Sequence, residues 1–180
     1  YNTFVGANAG QGGVTSAPYS SGQYNVAVGY QAGKDFTTGN NNVLLGYNTA
    51  QNITSGDGNI AIGWSAGETM TTTGHTVLIG ASAGNDINST DAHGTVLIGS
   101  QAGKYINSGI GNTAVGFETL TNEDDGDYNT AFGYQALSLQ TGNSGEVANS
   151  GFGYRAGYRM TTGTYNSLFG FGTGEKLNGG

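Results

Sequence analysis

The stretch Asn59 to Gly67, NIAIGWSAG, returns with small changes along the whole chain. It reads NTFVGANAG from Asn2, NVAVGYQAG from Asn25, NVLLGYNTA from Asn42, TVLIGASAG from Thr76 and TVLIGSQAG from Thr95. It continues as NTAVGFETL from Asn112, NTAFGYQAL from Asn129, NSGFGYRAG from Asn149 and NSLFGFGTG from Asn166. The central glycines are Gly6, Gly29, Gly46, Gly63, Gly80, Gly99, Gly116, Gly133, Gly153 and Gly170, and six of their nine intervals are 17 residues. The other intervals are 23, 19 and 20, which places extra residues near 13–22, 88–94 and 139–148. Insertions that restore the phase afterwards behave as loops added to a stacked coil.

Within each phrase a large apolar residue precedes the Gly, as at Val28, Leu45, Ile62, Ile79, Ile98 and Val115. Two places earlier stands a β-branched residue or Ser. Alternation with a period of two marks a strand. The residue between them is mostly apolar too, so one face should line the coil and the other should meet a neighbouring chain. A second strand is expected seven residues after the Gly, at Phe36, Ile53, Met70, Ile87, Ile106, Met160 and Leu177. Glu123 and Gln140 break that column, and the same two repeats carry Leu120 and Leu137 where most others have Gly. One hole filled from two alternative positions is what close-packed layers require. Seventeen residues span roughly 56 Å of extended chain, enough for a flat turn and too little for a wide barrel.

The fold expected is therefore all-β: a parallel β-solenoid, or β-roll, of about ten stacked 17-residue coils forming a single repeat region over residues 1–180. Asn opens eight of the ten phrases. Asn tolerates left-handed backbone, and stacked carboxamides can bond along a rod, so Asn25, Asn42, Asn59, Asn112, Asn129, Asn149 and Asn166 are expected to form a ladder. A thin coil has little interior to offset chain entropy, so it should associate. A closed homotrimer is the simplest solution.

Composition narrows the function. The net charge is −7 and the five bases are scattered, a poor match to nucleic acid. No long apolar run suits a membrane-spanning helix, and Cys is absent, which removes disulfides and thiolate metal sites. The chain opens at Tyr1 and reads as a piece of a longer fibre.

The phrases NTAVGFETL, NTAFGYQAL and NVAVGYQAG resemble the NTAVGYQAL-type repeats of phage tail fibres and bacterial trimeric surface proteins. They are also similar to the head repeats of trimeric autotransporter adhesins, whose coils are shorter. The resemblance implies a left-handed parallel β-roll in a trimer. It further implies an extracellular setting on a virion tail or cell surface, and recognition of a glycan or protein receptor rather than catalysis.

The motifs of enzymes find a simpler reading in the repeat. GWSAG and GASAG match a hydrolase elbow, yet other coils place Gln or Arg at Ser65 and Ser82, so these look like choices at an exposed position. AGK at Lys34 and Lys104 lacks the rest of a phosphate loop, and GFGYRAG is a weak dinucleotide echo. His75 and His93 read as solvated turn residues, and Asn52 and Asn88 open glycosylation sequons. Glu123, Asp124, Asp125 and Asp127 form an acidic run, read as a solvated loop, with Asp124, Asp125 and Asp127 a weak Ca²⁺ candidate. The row Tyr30, Tyr47, Trp64, Phe117, Tyr134, Tyr154 and Phe171 could stack on sugars but suits packing better. Threonines such as Thr37 and Thr71 hint at an ice-binding array that Asn88 and Asn107 interrupt. A polysaccharide-cleaving tailspike would need paired carboxylates, which the coil positions mostly lack. The expectation is a non-enzymatic adhesive segment with no cofactor and no nucleic acid or membrane partner. Its contacts would lie in the inserted loops at Tyr19, Ser20, Asn143 and Glu146.

Overall fold

The computed structural model describes residues 1–12, 21–142 and 145–178. Each repeat phrase forms a three-residue strand: β1 (Thr3–Val5), β2 (Val26–Val28), β3 (Val43–Leu45), β4 (Ile60–Ile62), β5 (Val77–Ile79), β6 (Val96–Ile98) and β7 (Thr113–Val115). They are followed by β8 (Gly126–Asp127), β9 (Thr130–Phe132), β10 (Gly145–Glu146), β11 (Ser150–Phe152) and β12 (Ser167–Phe169). All but β8 and β10 join one ten-stranded sheet in chain order, and β8 pairs separately with β10. Every pairing is parallel, and within the ten-stranded sheet it brings equivalent repeat positions together, so Ile62 lies beside Ile79 and Ile79 beside Ile98. The chain is thus an all-β parallel solenoid. It makes about eight turns rather than ten, because strands outnumber the turns between them and residues 13–20, in the first interval, lie outside the described residues.

The pleat divides each strand between two environments. Its middle residue points inward and is buried, as at Ala27, Leu44, Ala61, Leu78, Leu97, Ala114 and Ala131. The larger residues on either side face outward and are half-buried or exposed. The column Val28, Leu45, Ile62, Ile79, Ile98 and Val115 is therefore a ladder on the outer surface of the sheet.

Close backbone contact joins the turns at the central glycines. Each has φ between 121° and 144°, a region that disfavours side chains. From Gly6 to Gly153, a Cβ would fall within 2.6 Å of the carbonyl oxygen of the next central glycine. Hydrogen bonds between turns continue beyond the strands: Asn48 N–H donates to Tyr30 O, Gly33 N–H to Thr49 O and Thr37 N–H to Thr54 O, all at 2.9 or 3.0 Å.

The second strand expected around Phe36, Ile53 and Met70 does not form. These residues sit in tight turns, with Phe36 N–H donating to Gly33 O, Ile53 N–H to Ala50 O and Met70 N–H to Gly67 O. The chain curls there because the residue three places earlier is left-handed, with φ of 56° at Gly33, 45° at Ala50 and 59° at Gly67. The column is core all the same: Phe36, Ile53, Met70, Ile87, Ile106 and Met160 are buried, while Leu177 in the last turn is 42% exposed. Leu120 and Leu137 adopt the same left-handed backbone, with φ of 49° and 51°, and are fully buried. A Cβ on Gly151 would lie 2.8 Å from Leu137 Cγ, so the leucine takes room that the neighbouring strand leaves empty.

The Asn column forms a ladder inside the coil. Asn42 donates both its backbone N–H and its Nδ2 to Asn25 Oδ1, at 2.9 and 3.0 Å. Its Nδ2 also donates to Gly56 O, at 2.8 Å, across the interior of its own turn. Asn59 N–H donates to Asn42 Oδ1, and Thr76 continues the run by donating its N–H and hydroxyl to Asn59 Oδ1. A second run links Asn112, Asn129, Asn149 and Asn166. These asparagines are not left-handed. That conformation falls on the residue before, at Tyr24, Asn41, His75, Tyr128, Ala148 and Tyr165.

Three substitutions test this construction. Gly80→Ala should cost about 3 kcal/mol or more, since strain at positive φ adds to a collision with the Gly99 carbonyl. Gly94→Ala has no atom within 4 Å of its Cβ and should cost about 1 kcal/mol. Denaturant unfolding followed by circular dichroism separates the two. Asn59→Ala leaves the Thr76 N–H and Thr73 carbonyl without their buried partners and should cost about 3 kcal/mol. Faster hydrogen exchange at the Thr76 amide would locate the damage.

Candidate functional site

Three surfaces carry side chains that the stacking does not consume. The first is the outer face of the sheet, with two rows per strand: Thr3, Val26, Val43, Ile60, Val77, Val96, Thr113, Thr130, Ser150 and Ser167, and Val5, Val28, Leu45, Ile62, Ile79, Ile98, Val115, Phe132, Phe152 and Phe169. It is aliphatic for most of its length and ends in phenylalanines, with Phe152 and Phe169 stacked at 4.9 Å.

The second is the aromatic row that follows the central glycines. Tyr30 stacks on Tyr47 at 5.2 Å, and Phe117, Tyr134, Tyr154 and Phe171 stack in succession at 4.8 to 5.5 Å. These distances are close to the roughly 4.8 Å spacing of paired strands, so the rings stack because the backbone does. Ala81 and Ser100 interrupt the row. Arg155 bonds Gln135 Oε1 and lies over the rings of Tyr154 and Tyr158.

The third is a groove of about 440 Å³ lined by Asp86, Tyr105, Asn107, Asn122 and Asp124. Asp86, Tyr105 and Asn122 each stand six residues after a central glycine, and Asn107 and Asp124 stand eight after. Lys104 Nζ lies 4.7 Å from the Tyr105 ring centroid and donates to its hydroxyl at 3.1 Å. Partial desolvation raises the pKa of Asp124 above its ordinary 3.8, with help from the neighbouring Asp125 and Asp86.

The acidic run expected as one solvated loop is divided by the fold. Glu123 occupies the core column and is fully buried. Its Oε1 accepts from the N–H groups of Asp124 and Gly126, and its Oε2 accepts from Gln140 Nε2. Gln140 Oε1 in turn accepts from Asn149 Nδ2, which ties this polar rung to the Asn ladder. The three residues of the Ca²⁺ candidate do not converge. Asp125 Oδ1 accepts from the Ser108 hydroxyl, Asp127 Oδ1 accepts from Ile110 N–H, and Asp124 faces the groove. Among the described residues no three His, Cys, Asp or Glu side chains are grouped to hold a metal ion.

Of the loop residues, Tyr19, Ser20 and Asn143 lie outside the described residues, and Glu146 is exposed and accepts from the Tyr165 hydroxyl at 3.2 Å. Ser65 and Ser82 are buried rather than exposed: the place is left-handed in most coils, and these short side chains stay within the corner where Gln31, Gln101 and Arg155 reach out. His75 and His93 approach each other at 6.1 Å between ring centroids, and His93 Nδ1 lies 2.8 Å from Gly74 O. The hydroxyls of Thr37, Thr54 and Thr71 donate to the next turn, to Thr54 O, Thr71 O and Asn88 Oδ1, so they serve the stack. Sequence reasoning named Asn107 only as interrupting a threonine array and did not single out Asp86, Tyr105 or Asn122. Their shared places six and eight after the central glycine were the available signal. No family model, curated protein or solved structure matches the chain.

Asp124 gives a pH test. A carboxyl with a raised folded pKa takes up a proton more readily when folded, so stability gained below its ordinary 3.8 is lost as pH rises through the raised value. Asp124→Asn mimics the neutral form. It should raise the thermal midpoint at pH 7, and the gain should fade on acidification below that ordinary value. Paired melts of wild type and variant across the range check the sign.

Proposed function

We propose that this chain is a structural and adhesive segment of a trimeric extracellular fibre, a rod that displays binding surfaces rather than an enzyme. The observation that carries this reading is the outer face of the ten-stranded sheet, apolar along most of its length and covered by none of the described residues. Monomeric soluble proteins rarely expose so long a continuous apolar surface. Ten strands at about 4.8 Å spacing make a face roughly 48 Å long, and three residues of strand make it about 10 Å wide. That strip covers roughly 480 Å², and the aromatic row beside it extends it toward the roughly 800 Å² per partner of a stable protein interface. A closed ring of three buries such faces without leaving an open edge that would grow a filament.

The resemblance of the phrases to tail-fibre and adhesin-head repeats supports the same reading. A continuous hydrogen-bonded stack would hold loops and grooves at a fixed distance from an anchoring surface, and three copies would add avidity for a glycan or protein receptor. Such a fibre would act on a virion tail or a bacterial surface.

Light scattering on the purified chain should give three times the 18.3 kDa chain mass. The double variant Ile62→Glu, Ile98→Glu, placed on the outer face, should give a single-chain mass while keeping the wild-type circular dichroism spectrum. A wild-type protein that stays monomeric at tens of micromolar would remove the trimer from this reading.

A further inference from the structure

The groove between Asp86, Tyr105, Asn107, Asn122 and Asp124 gathers unpaired polar side chains and an aromatic ring from three successive turns at one concavity. Several polar residues of these two columns serve the stack, while others, such as Asn52, are also free of side-chain bonds within the described residues. Thr37 and Thr54 donate to the next turn from the place eight after the glycine, and Thr69 donates to Asn85 O from the place six after. Asp86, Asn107 and Asn122 make no side-chain hydrogen bond within the described residues. Two unpaired carboxamides and a carboxylate therefore face one concavity, together with Asp124 and the ring of Tyr105. Tyr105 is 44% exposed, with Lys104 Nζ 4.7 Å from its ring centroid and donating to its hydroxyl, so the ring is fixed at the groove wall.

We propose that this groove binds an uncharged saccharide, with Asp86, Asn107, Asn122 and Asp124 pairing with sugar hydroxyls and Tyr105 packing against a ring face. Carboxylates accept from hydroxyls, and carboxamides both donate and accept, which is the combination that adjacent sugar hydroxyls require. An aromatic ring supplies the apolar contact that the C–H face of a pyranose needs. The groove volume of about 440 Å³ falls within the range of small-ligand sites and suits one or two sugar rings. Asp86 and Asp124 would repel a sialic or uronic acid, so the ligand is neutral. None of the lining residues belongs to the sheet or to the aromatic row, so a trimer formed through the outer face does not use these side chains. The proposal rests on the adhesive reading and assigns it a site.

The test is an array of printed oligosaccharides, neutral ones ending in glucose, galactose or N-acetylglucosamine beside sialylated ones, probed with the whole chain. The best neutral glycan is then titrated by calorimetry. Tyr105→Ala, Asn107→Ala and Asn122→Ala should each weaken binding tenfold or more. Tyr47→Ala, in the aromatic row, should leave it within twofold, with all spectra unchanged. Loss of binding in Tyr47→Ala alone, or retention of sialylated glycans only, overturns the groove as the site. Adhesion of labelled chain to bacterial cells without any array signal overturns the groove and leaves the adhesive function standing. Absence of both overturns both.

Discussion

The central glycine of each phrase sets how near one turn can come to the next. At Gly63 or Gly116 the backbone passes so close to the following carbonyl that no side chain fits between them. The backbone there must also hold φ near 136°, where a side chain would strain it. Once this contact forms, the strand before it and the turn after it are pinned in register, since both lie within a few residues. Parallel pairing is slow to specify from side chains alone, because slips by whole repeats bury similar residues. Here the glycine contact blocks slips by a few residues, since any side chain at that place would collide with the next turn, and insertions such as 88–94 must resolve before the next glycine arrives. The neighbouring side chains are then free to vary, which is why Trp64, Ala81 and Phe117 can occupy one column without disturbing the stack.

The polar rung of Glu123, Gln140 and Asn149 shows how far that freedom extends into the core. A buried carboxylate is costly unless donors surround it. Glu123 meets that condition with two backbone N–H groups and a carboxamide, and a Cβ at Gly126 would press against its carboxylate. The apolar volume lost from the column is restored by Leu120 and Leu137, which reach inward from a left-handed corner. Left-handed leucine costs about 1–2 kcal/mol, and full burial of the side chain returns about as much. The two exchanges belong together, and neither would be tolerated alone at that density.

Much of the solenoid could be read from the chain because its cause is periodic. Val43, Leu45 and Gly46 alternate in a way that only a strand explains, and Asn42 repeats at the interval a ladder needs. The tight turn at Phe36 escaped that logic. A large residue at a fixed interval marks the interior, but it does not say whether the backbone carrying it is extended or curled. The signals for curling were hidden at Ala50, Leu120, His75 and Tyr128, where residues other than glycine are left-handed and no residue-type preference reveals it. Glu123 was hidden differently. It belongs both to a charged run in the chain and to a core column in the fold, and only its distance from Gly116 distinguishes them. The groove escaped because its residues come from three successive turns and share no motif.

A stacked coil also gives a physical criterion for where function can reside. Each turn presents the same polar slots, and most of them are taken up by the turn beside it. Asp57 accepts from Asn40, Asp127 from Ile110 and Asp125 from Ser108, so carboxylates on an exposed rim can still be structural. Hydrogen-bonding capacity that stacking leaves unused is available to a ligand. Asp86, Asn107 and Asn122 concentrate that capacity in neighbouring turns. Two of the three rings that would continue the aromatic row beside those turns are also missing, at Ala81 and Ser100. These turns therefore present unused polar groups where the aromatic row is also broken. Stability there is borrowed from the regular turns on either side, which is the arrangement a rigid scaffold needs in order to hold an unsatisfied surface open to solvent.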